Sequence, residues 1–348
     1  MRVGILSFAH LHAEGYVSNL WAIPDVELIG FADDNPVRGK YFAEKFNLRQ
    51  FESYEALLTE QPDAVIICSE NARHYPLVKL AAEAGAHVLC EKPLATTLED
   101  AQAIIDVCQA NGVQLMTAFP MRFSPSVIEV KKLVDSGGLG PIYGCNSTNQ
   151  GALPRFHQAE GMPDLGRDWF INQQLAGGGA VADHVVHLTD LLRWILQSEV
   201  VEVYAQTNQI FHRDEVEVET GGVVMLTFAN GTFASIDCSW SKPAYYPTWG
   251  GLKLELVGES GLAAVDAFKQ TMTLYNHDLR RPVWLPWGSD ANQGMVAEFL
   301  DAARANRTPA ITGLDGYQAV AVVAAAYQSA MTGGPVTLNG TTPPVEVS

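Results

Sequence analysis

Up to Arg122 the apolar positions alternate between two rhythms. Short unbroken runs at residues 3–7, 26–32, 64–68, 87–90 and 114–118 predict buried strands. Between them, apolar residues fall at helical spacing, as in Ala13, Tyr16, Val17, Leu20 and Trp21, then Phe42, Ala43 and Phe46, then residues 75–84 up to Gly85. Thr97 with Asp100 three positions on has the form of a capping box and opens a helix to about Ala110. Continuous apolar strands alternating with helices predict an α/β, doubly wound parallel sheet covered on both faces. Beyond Arg122 the rhythm changes. A helix over 125–136 runs into Gly137 and Gly138, and one strong helix spans 177–196. Strands 223–229 and 232–238 flank Asn230-Gly231, a hairpin signal, and strands 252–257 and 262–268 flank a second turn. Helices return at 295–305 and 317–331. Two domains follow: a Rossmann-type dinucleotide-binding domain at 1–122, and an α+β domain at 123–348 built on a large, open, mostly antiparallel sheet. The last two helices are free to pack back on the first domain. The open sheet must cover its second face, which suggests a homodimer or homotetramer formed through it.

Composition narrows the partners. Apolar residues make up 47 % and charged residues 18 %, enough to bury a sizeable core, and the formal net charge is −17. So acidic a chain is a poor ligand for polyanions, so neither nucleic acid nor an anionic membrane surface is expected as a partner. The five cysteines are scattered with no C-x-x-C pair, which fits buried thiols in a reducing compartment. No signal-type apolar stretch opens the chain and no window is long enough to span a bilayer, so a cytoplasmic protein is expected.

The first strand-to-helix turn should carry G-x-G-x-x-G, and here Ser7, Ala9 and His12 stand at the three glycine positions, with Phe8 and His10 between them. A helix starting near His10 would still aim free N–H groups at a phosphate. Asp33, ending the second strand, is placed to take ribose hydroxyls and favours NAD over NADP; the alternative is an ordinary polar loop of Asp33 and Asp34. Glu91-Lys92-Pro93 follows a strand directly, which puts Lys92 at the carboxyl edge of the sheet, where ligands bind. After Gly177-Gly178-Gly179, Asp183 and His187 lie four apart and His184 and His187 three apart, so they are neighbours on one helix. The positive dipole there disfavours imidazolium, and a neutral histidine is what a general base requires.

Taken together, these stretches resemble the Gfo/Idh/MocA oxidoreductases over nearly the whole chain. The residues that carry the likeness are Glu91-Lys92-Pro93, the G-G-G-x-x-x-D-x-x-x-H pattern ending at Asp183 and His187, Arg122-Phe123, and Asn306-Arg307-Thr308-Pro309 followed by Gly313 and Asp315-Gly316. The resemblance implies hydride exchange between a nicotinamide and a carbinol carbon of a sugar or polyol. It implies that Lys92 steadies charge at the reacting oxygen, that His187 is the general acid and base, and that Asp183 orients the substrate hydroxyl or His187. It implies a cofactor set of Ser7, Phe8, Ala9, His10, His12, Asp33, Ser69, Asn71, His74, Glu91, Lys92 and Arg122. The implied substrate set is Lys92, Trp169, Asp183, His184 and His187, and a cis bond before Pro93 is expected. No metal centre is expected: His10, His12 and His184 would have to converge to hold an ion, and loop and helix-cap roles suit the first two better. Two rivals remain, a non-catalytic NAD- or ligand-sensing protein and an NAD-assisted elimination or glycosidase without net redox.

Overall fold

The computed structural model describes residues 1–154, 163–246, 248, 250–269, 271–276, 281–286 and 290–338. The first part runs β1 (Arg2–Leu6), α1 (His12–Trp21), β2 (Glu27–Ala32), α2 (Pro36–Phe46), β3 (Gln50–Phe51), α3 (Tyr54–Leu58), β4 (Ala64–Ile67), α4 (His74–Glu83), β5 (His87–Cys90), α5 (Leu98–Ala110) and β6 (Leu115–Thr117). The strands form one six-stranded sheet in the order β3-β2-β1-β4-β5-β6, and all its pairings are parallel. The unbroken apolar runs are buried on both sides, as a parallel sheet demands. Thr97 caps α5 by accepting from the Asp100 amide.

The second part comprises α6 (Pro125–Asp135), β7 (Ile142–Ala152), α7 (Gln173–Ala176), α8 (Ala180–Leu196), β8 (Val200–Asn208), β9 (Gly221–Phe228), β10 (Phe233–Lys242), β11 (Leu252–Gly258), β12 (Gly261–Asp266), β13 (Thr271–Asn276), β14 (Arg281–Pro286), α9 (Ala291–Ala305), α10 (Gly313–Thr332) and β15 (Val336–Thr337). Seven strands form a mixed sheet, β12-β11-β7-β10-β9-β8-β15, antiparallel except where β10 lies parallel to β7. The Asn230-Gly231 hairpin joins β9 to β10, with Gly231 at φ 87°. Helix α8 lies on the inner face of this sheet, packing Val181, Val185, Leu188 and Leu192 against Val203, Leu226 and Ile236. The C-terminal helices return to the first part: Met295, Phe299 and Leu300 of α9 and Ala319 of α10 share a core with Val3, Ile5 and Tyr16. Arg122 locks this return, its guanidinium bonding Asp190 twice (2.9 and 2.5 Å), Asp315 at 2.9 Å and the Ala310 carbonyl at 3.2 Å. Among the described residues no helix is long and apolar enough to cross a membrane, and all five cysteines are free and buried.

Candidate active site

The glycine triplet sets the start of α8 deep in the molecule. A Cβ on Gly179 would lie 1.9 Å from the Glu219 carbonyl oxygen, and one on Gly178 1.9 Å from the Tyr327 hydroxyl. Only hydrogen fits at these positions. The Glu219 carboxylate accepts from the Gly179 and Val181 amides and from the Tyr327 hydroxyl, capping the positive end of the helix. One turn on, Asp183 meets Lys92, with Nζ 2.7 Å from Oδ1 and Lys92 only 1 % exposed. Trp240 Nε1 donates to the other carboxylate oxygen at 3.2 Å. Burial alone would raise the Asp183 carboxyl; the Lys92 ammonium overrides it and holds it below the usual range. The Lys92–Pro93 peptide is cis, and His74 Nδ1 lies 3.0 Å from the Pro93 carbonyl.

His187, one turn beyond Asp183, opens onto a different space. A cavity of about 230 Å³ is lined by His12, His184, His187, Asn149 and Asn292, with Leu11, Pro120, Met121, Leu252 and Phe268 as an apolar wall. Burial, followed by the nearby Lys92 charge, pushes the His187 imidazole well below its ordinary value, and burial lowers His184 to about 4. Both are neutral at pH 7. His187 Nδ1 is buried and has no hydrogen-bond partner among the described residues. Lys92 instead borders a space of about 10 Å³ beside Asn71, Phe170 and Asp183. Lys92, which follows β5 and is held against Asp183 of α8, and His187 of the same helix thus face separate spaces in this structure.

A strap closes the first turn. Leu165 joins the core of Phe8, Phe31 and Phe42, and its carbonyl accepts from Arg38 at 3.2 Å. Arg167 reaches Glu14 at 2.8 Å, and Trp169 Nε1 donates to the Ala9 carbonyl at 3.2 Å. Trp169 and Phe170 stack with centroids 3.8 Å apart, and the Phe170 ring lies 5.1 Å from that of His10. The Trp169 indole therefore covers the turn rather than lining the 230 Å³ cavity. The expected free donors are also taken. The Phe8 amide donates to Asp33 Oδ2 (2.7 Å), Ala9 to Ser7 Oγ (3.1 Å), His10 to the Cys68 carbonyl (2.8 Å) and His12 to His10 Nδ1 (3.2 Å). Helix α1 begins at His12, two residues later than expected, because the His10 amide is tied to the end of β4. Ser7 takes the left-handed conformation (φ 73°) at the position of the first glycine. Ser7, Phe8, Ala9 and His10 are all fully buried. As arranged, the turn presents no cradle to a pyrophosphate.

The other expected cofactor residues are placed as follows. The Asp33 carboxylate is held by the Phe8 and Asn35 amides and by Arg38 Nε at 2.8 Å. Asn71 Nδ2 donates to the Ala176 carbonyl at 2.9 Å, and Ser69 is buried with its hydroxyl on the Glu70 carbonyl. Arg122 is not brought to the site, because its donors are taken up by the interdomain cluster. Glu91 is buried between His12 Nδ1 (3.0 Å) and the Tyr16 hydroxyl (2.5 Å). Sequence reasoning missed Arg38, Glu219 and Trp240. Arg38 had a usable signal, a cation five residues past the strand-end acid.

A doubly wound parallel domain joined to an open mixed sheet, with a lysine–aspartate pair and a histidine at their junction, defines a two-domain oxidoreductase architecture. Residues 3–119 match an oxidoreductase family's NAD-binding Rossmann fold, and 127–264 the GFO/IDH/MocA C-terminal domain. The chain belongs to the Gfo/Idh/MocA oxidoreductase family. D-xylose 1-dehydrogenase (NADP(+)) 2 of Haloferax volcanii is 30 % identical over 97 % of this chain and 100 % of that protein. Myo-inositol 2-dehydrogenase of Thermotoga maritima is 28 % identical over 94 % and 96 %. The structure of GenD2 from gentamicin A biosynthesis, in complex with NAD, superimposes with a TM-score of 0.86 at 25 % identity, covering 98 % of this chain and 97 % of GenD2.

Proposed function

We propose that the chain oxidises or reduces a carbinol carbon of a neutral sugar, polyol or close derivative, with NAD as hydride partner in preference to NADP. The observation that carries this reading is the neutral His187 on a 230 Å³ cavity, four residues from the buried Lys92–Asp183 pair. A nicotinamide supplies or accepts hydride when bound. The chain supplies the rest. His187 takes the hydroxyl proton, which its neutral ring accepts at pH 7. Asp183 holds Lys92 charged and fixed. The substrate's hydroxyls meet Asn149, His184 and Asn292, and its C–H face meets the apolar wall. Dinucleotide entry requires residues 165–171 to leave the first turn. Phe170 belongs to that strap and lines the small space beside Lys92, so the same movement uncovers the ammonium, which then offsets negative charge developing on the reacting oxygen.

The open sheet supports self-association as a homodimer or homotetramer, since Tyr143, Val223, Met225 and Phe233 are exposed on β7, β9 and β10. The free, buried cysteines support a cytoplasmic setting. The test is a spectrophotometric screen of NAD and NADP against inositols, aldoses and sugar acids. Substrate-dependent reduction that falls at least ~100-fold in His187→Asn supports the reading. Equal rates in both proteins overturn the role of His187. A second reading, a ligand sensor without turnover, is favoured by the closed first turn; NADH binding with no reduction across the panel would establish it.

A further inference from the structure

We propose that His10, His12 and Glu91 form a binding site for one divalent transition-metal ion, with an open coordination position toward the substrate cavity. The sequence grouping placed His184 with the two histidines; the fold places Glu91 there instead. One ligand atom from each of His10, His12 and Glu91 lies within 4.8 Å of the others. His12 Nδ1 is 3.0 Å from Glu91 Oε1, and His10 Nε2 is 3.8 Å from Glu91 Oε2. Two ligands on a tetrahedral ion with bonds of ~2.0–2.1 Å sit about 3.3 Å apart; the two separations, each to a different oxygen of Glu91, fall on either side of that value, and binding draws the three side chains in by less than ~1.5 Å.

The second observation is an orphan. His10 is fully buried, and its Nε2 has no hydrogen-bond partner while facing the Glu91 carboxylate. A buried imidazole nitrogen left unsatisfied beside a carboxylate calls for a missing group. The surroundings suit a cation. Glu91 is fully buried, with its carboxylate oxygens turned toward both histidines at 3.0 and 3.8 Å. The Tyr16 hydroxyl and the Lys92 amide fix its two oxygens, the outer-shell support that orients a ligand. Burial keeps His10 neutral, the form that coordinates. Coordination through Nε2 moves the ring proton to Nδ1, exchanging one long hydrogen bond from the His12 amide (3.2 Å) for a bond to the ion.

Two histidines and one carboxylate are the ligand set of open zinc and iron sites, in which a remaining position takes water or substrate. His12 supplies the entry path, because it is the member of the trio that lines the 230 Å³ cavity, beside His184 and His187. An ion there would hold a hydroxyl or carbonyl oxygen of a bound polyol. It would also account for an imidazole, that of His12, standing at the third glycine position of the turn. The site does not depend on dinucleotide binding.

Equilibrium dialysis of the chelator-stripped full chain against Zn²⁺ and Co²⁺ tests this, with the visible spectrum of bound Co²⁺ as a second readout. The expected result is about one ion per chain at micromolar free metal, with affinity reduced on the order of 100-fold or more in Glu91→Gln and in His12→Gln. Thermal melting checks that each variant is folded, and the half-buried His12 position decides the matter if Glu91→Gln is not. Absence of stoichiometric uptake overturns the proposal, as does uptake of equal strength in both variants. NADH titration of the same stripped protein reports dinucleotide binding separately, so the two readings fail independently.

Discussion

Replacing Asp183 by Asn removes a full charge from the most enclosed ion pair of the site while keeping its shape. The Lys92 ammonium would retain the Asp183 carbonyl at 3.4 Å and lose the carboxylate at 2.7 Å. Lys92 is 1 % exposed and Asp183 7 %, so water cannot replace the lost partner. Breaking a buried pair from one side costs about 3–5 kcal/mol, whereas replacing both members with apolar groups is often neutral. Urea unfolding at pH 7 should therefore show Asp183→Asn less stable by that amount. Lys92→Met with Asp183→Leu should recover most of the loss but remain inactive. The sign of the pH effect follows from the lowered Asp183 carboxyl. Its contribution is present above the unfolded value of ~3.9 and is lost as pH falls toward the folded one, so the gap between wild type and Asp183→Asn should narrow in acid. A single variant within ~1 kcal/mol of wild type at pH 7 would refute the claim that this pair is desolvated.

Other outcomes follow from the same geometry. His184 is lowered by burial to about 4, so the unfolded chain binds its proton first and stability drops as pH falls from ~6.5 to 4; His184→Gln should lose about 3 kcal/mol less across that window in denaturant titrations. Gly179→Ala drives a methyl into the Glu219 carbonyl and should lower the melting temperature by more than Gly178→Ala, whose clash is with the movable Tyr327 hydroxyl. Arg122→Met takes the bidentate cation from the buried Asp190, while Asp315 keeps Arg193 at 3.2 Å, and should destabilise by about 3–5 kcal/mol in urea unfolding, with little change in NADH affinity.

The parallel sheet was legible because its strands are buried on both faces and read as plain apolar runs. The 177–196 helix was legible because glycines precede an amphipathic run. Strand β7 escaped notice for the opposite reason. Its core positions include Ser147 and Asn149, which are buried and satisfied by the Ser235 and His184 carbonyls, so no apolar alternation marks it. The Lys92–Asp183 pair lay within reach, since a strand-end lysine and a helix-start aspartate converge at the crevice. Two features did not. Glu91 looks like part of a turn signature until the fold sets it against His10 and His12. The strap is a loop whose docking depends on Leu165, Arg167 and Trp169 finding partners about 130–160 residues away, a distance over which local pattern carries no information.

The central claim is that one segment controls access both to the dinucleotide turn and to Lys92. Fluorescence titration of NADH against the wild type and against Trp169→Ala with Phe170→Ala tests it most directly. Removing the two stacked rings should uncover the first turn and tighten NADH binding several-fold while the fold is kept. Unchanged or weaker affinity in a folded double variant would contradict the account, because the strap would then not be what stands between the turn and its ligand.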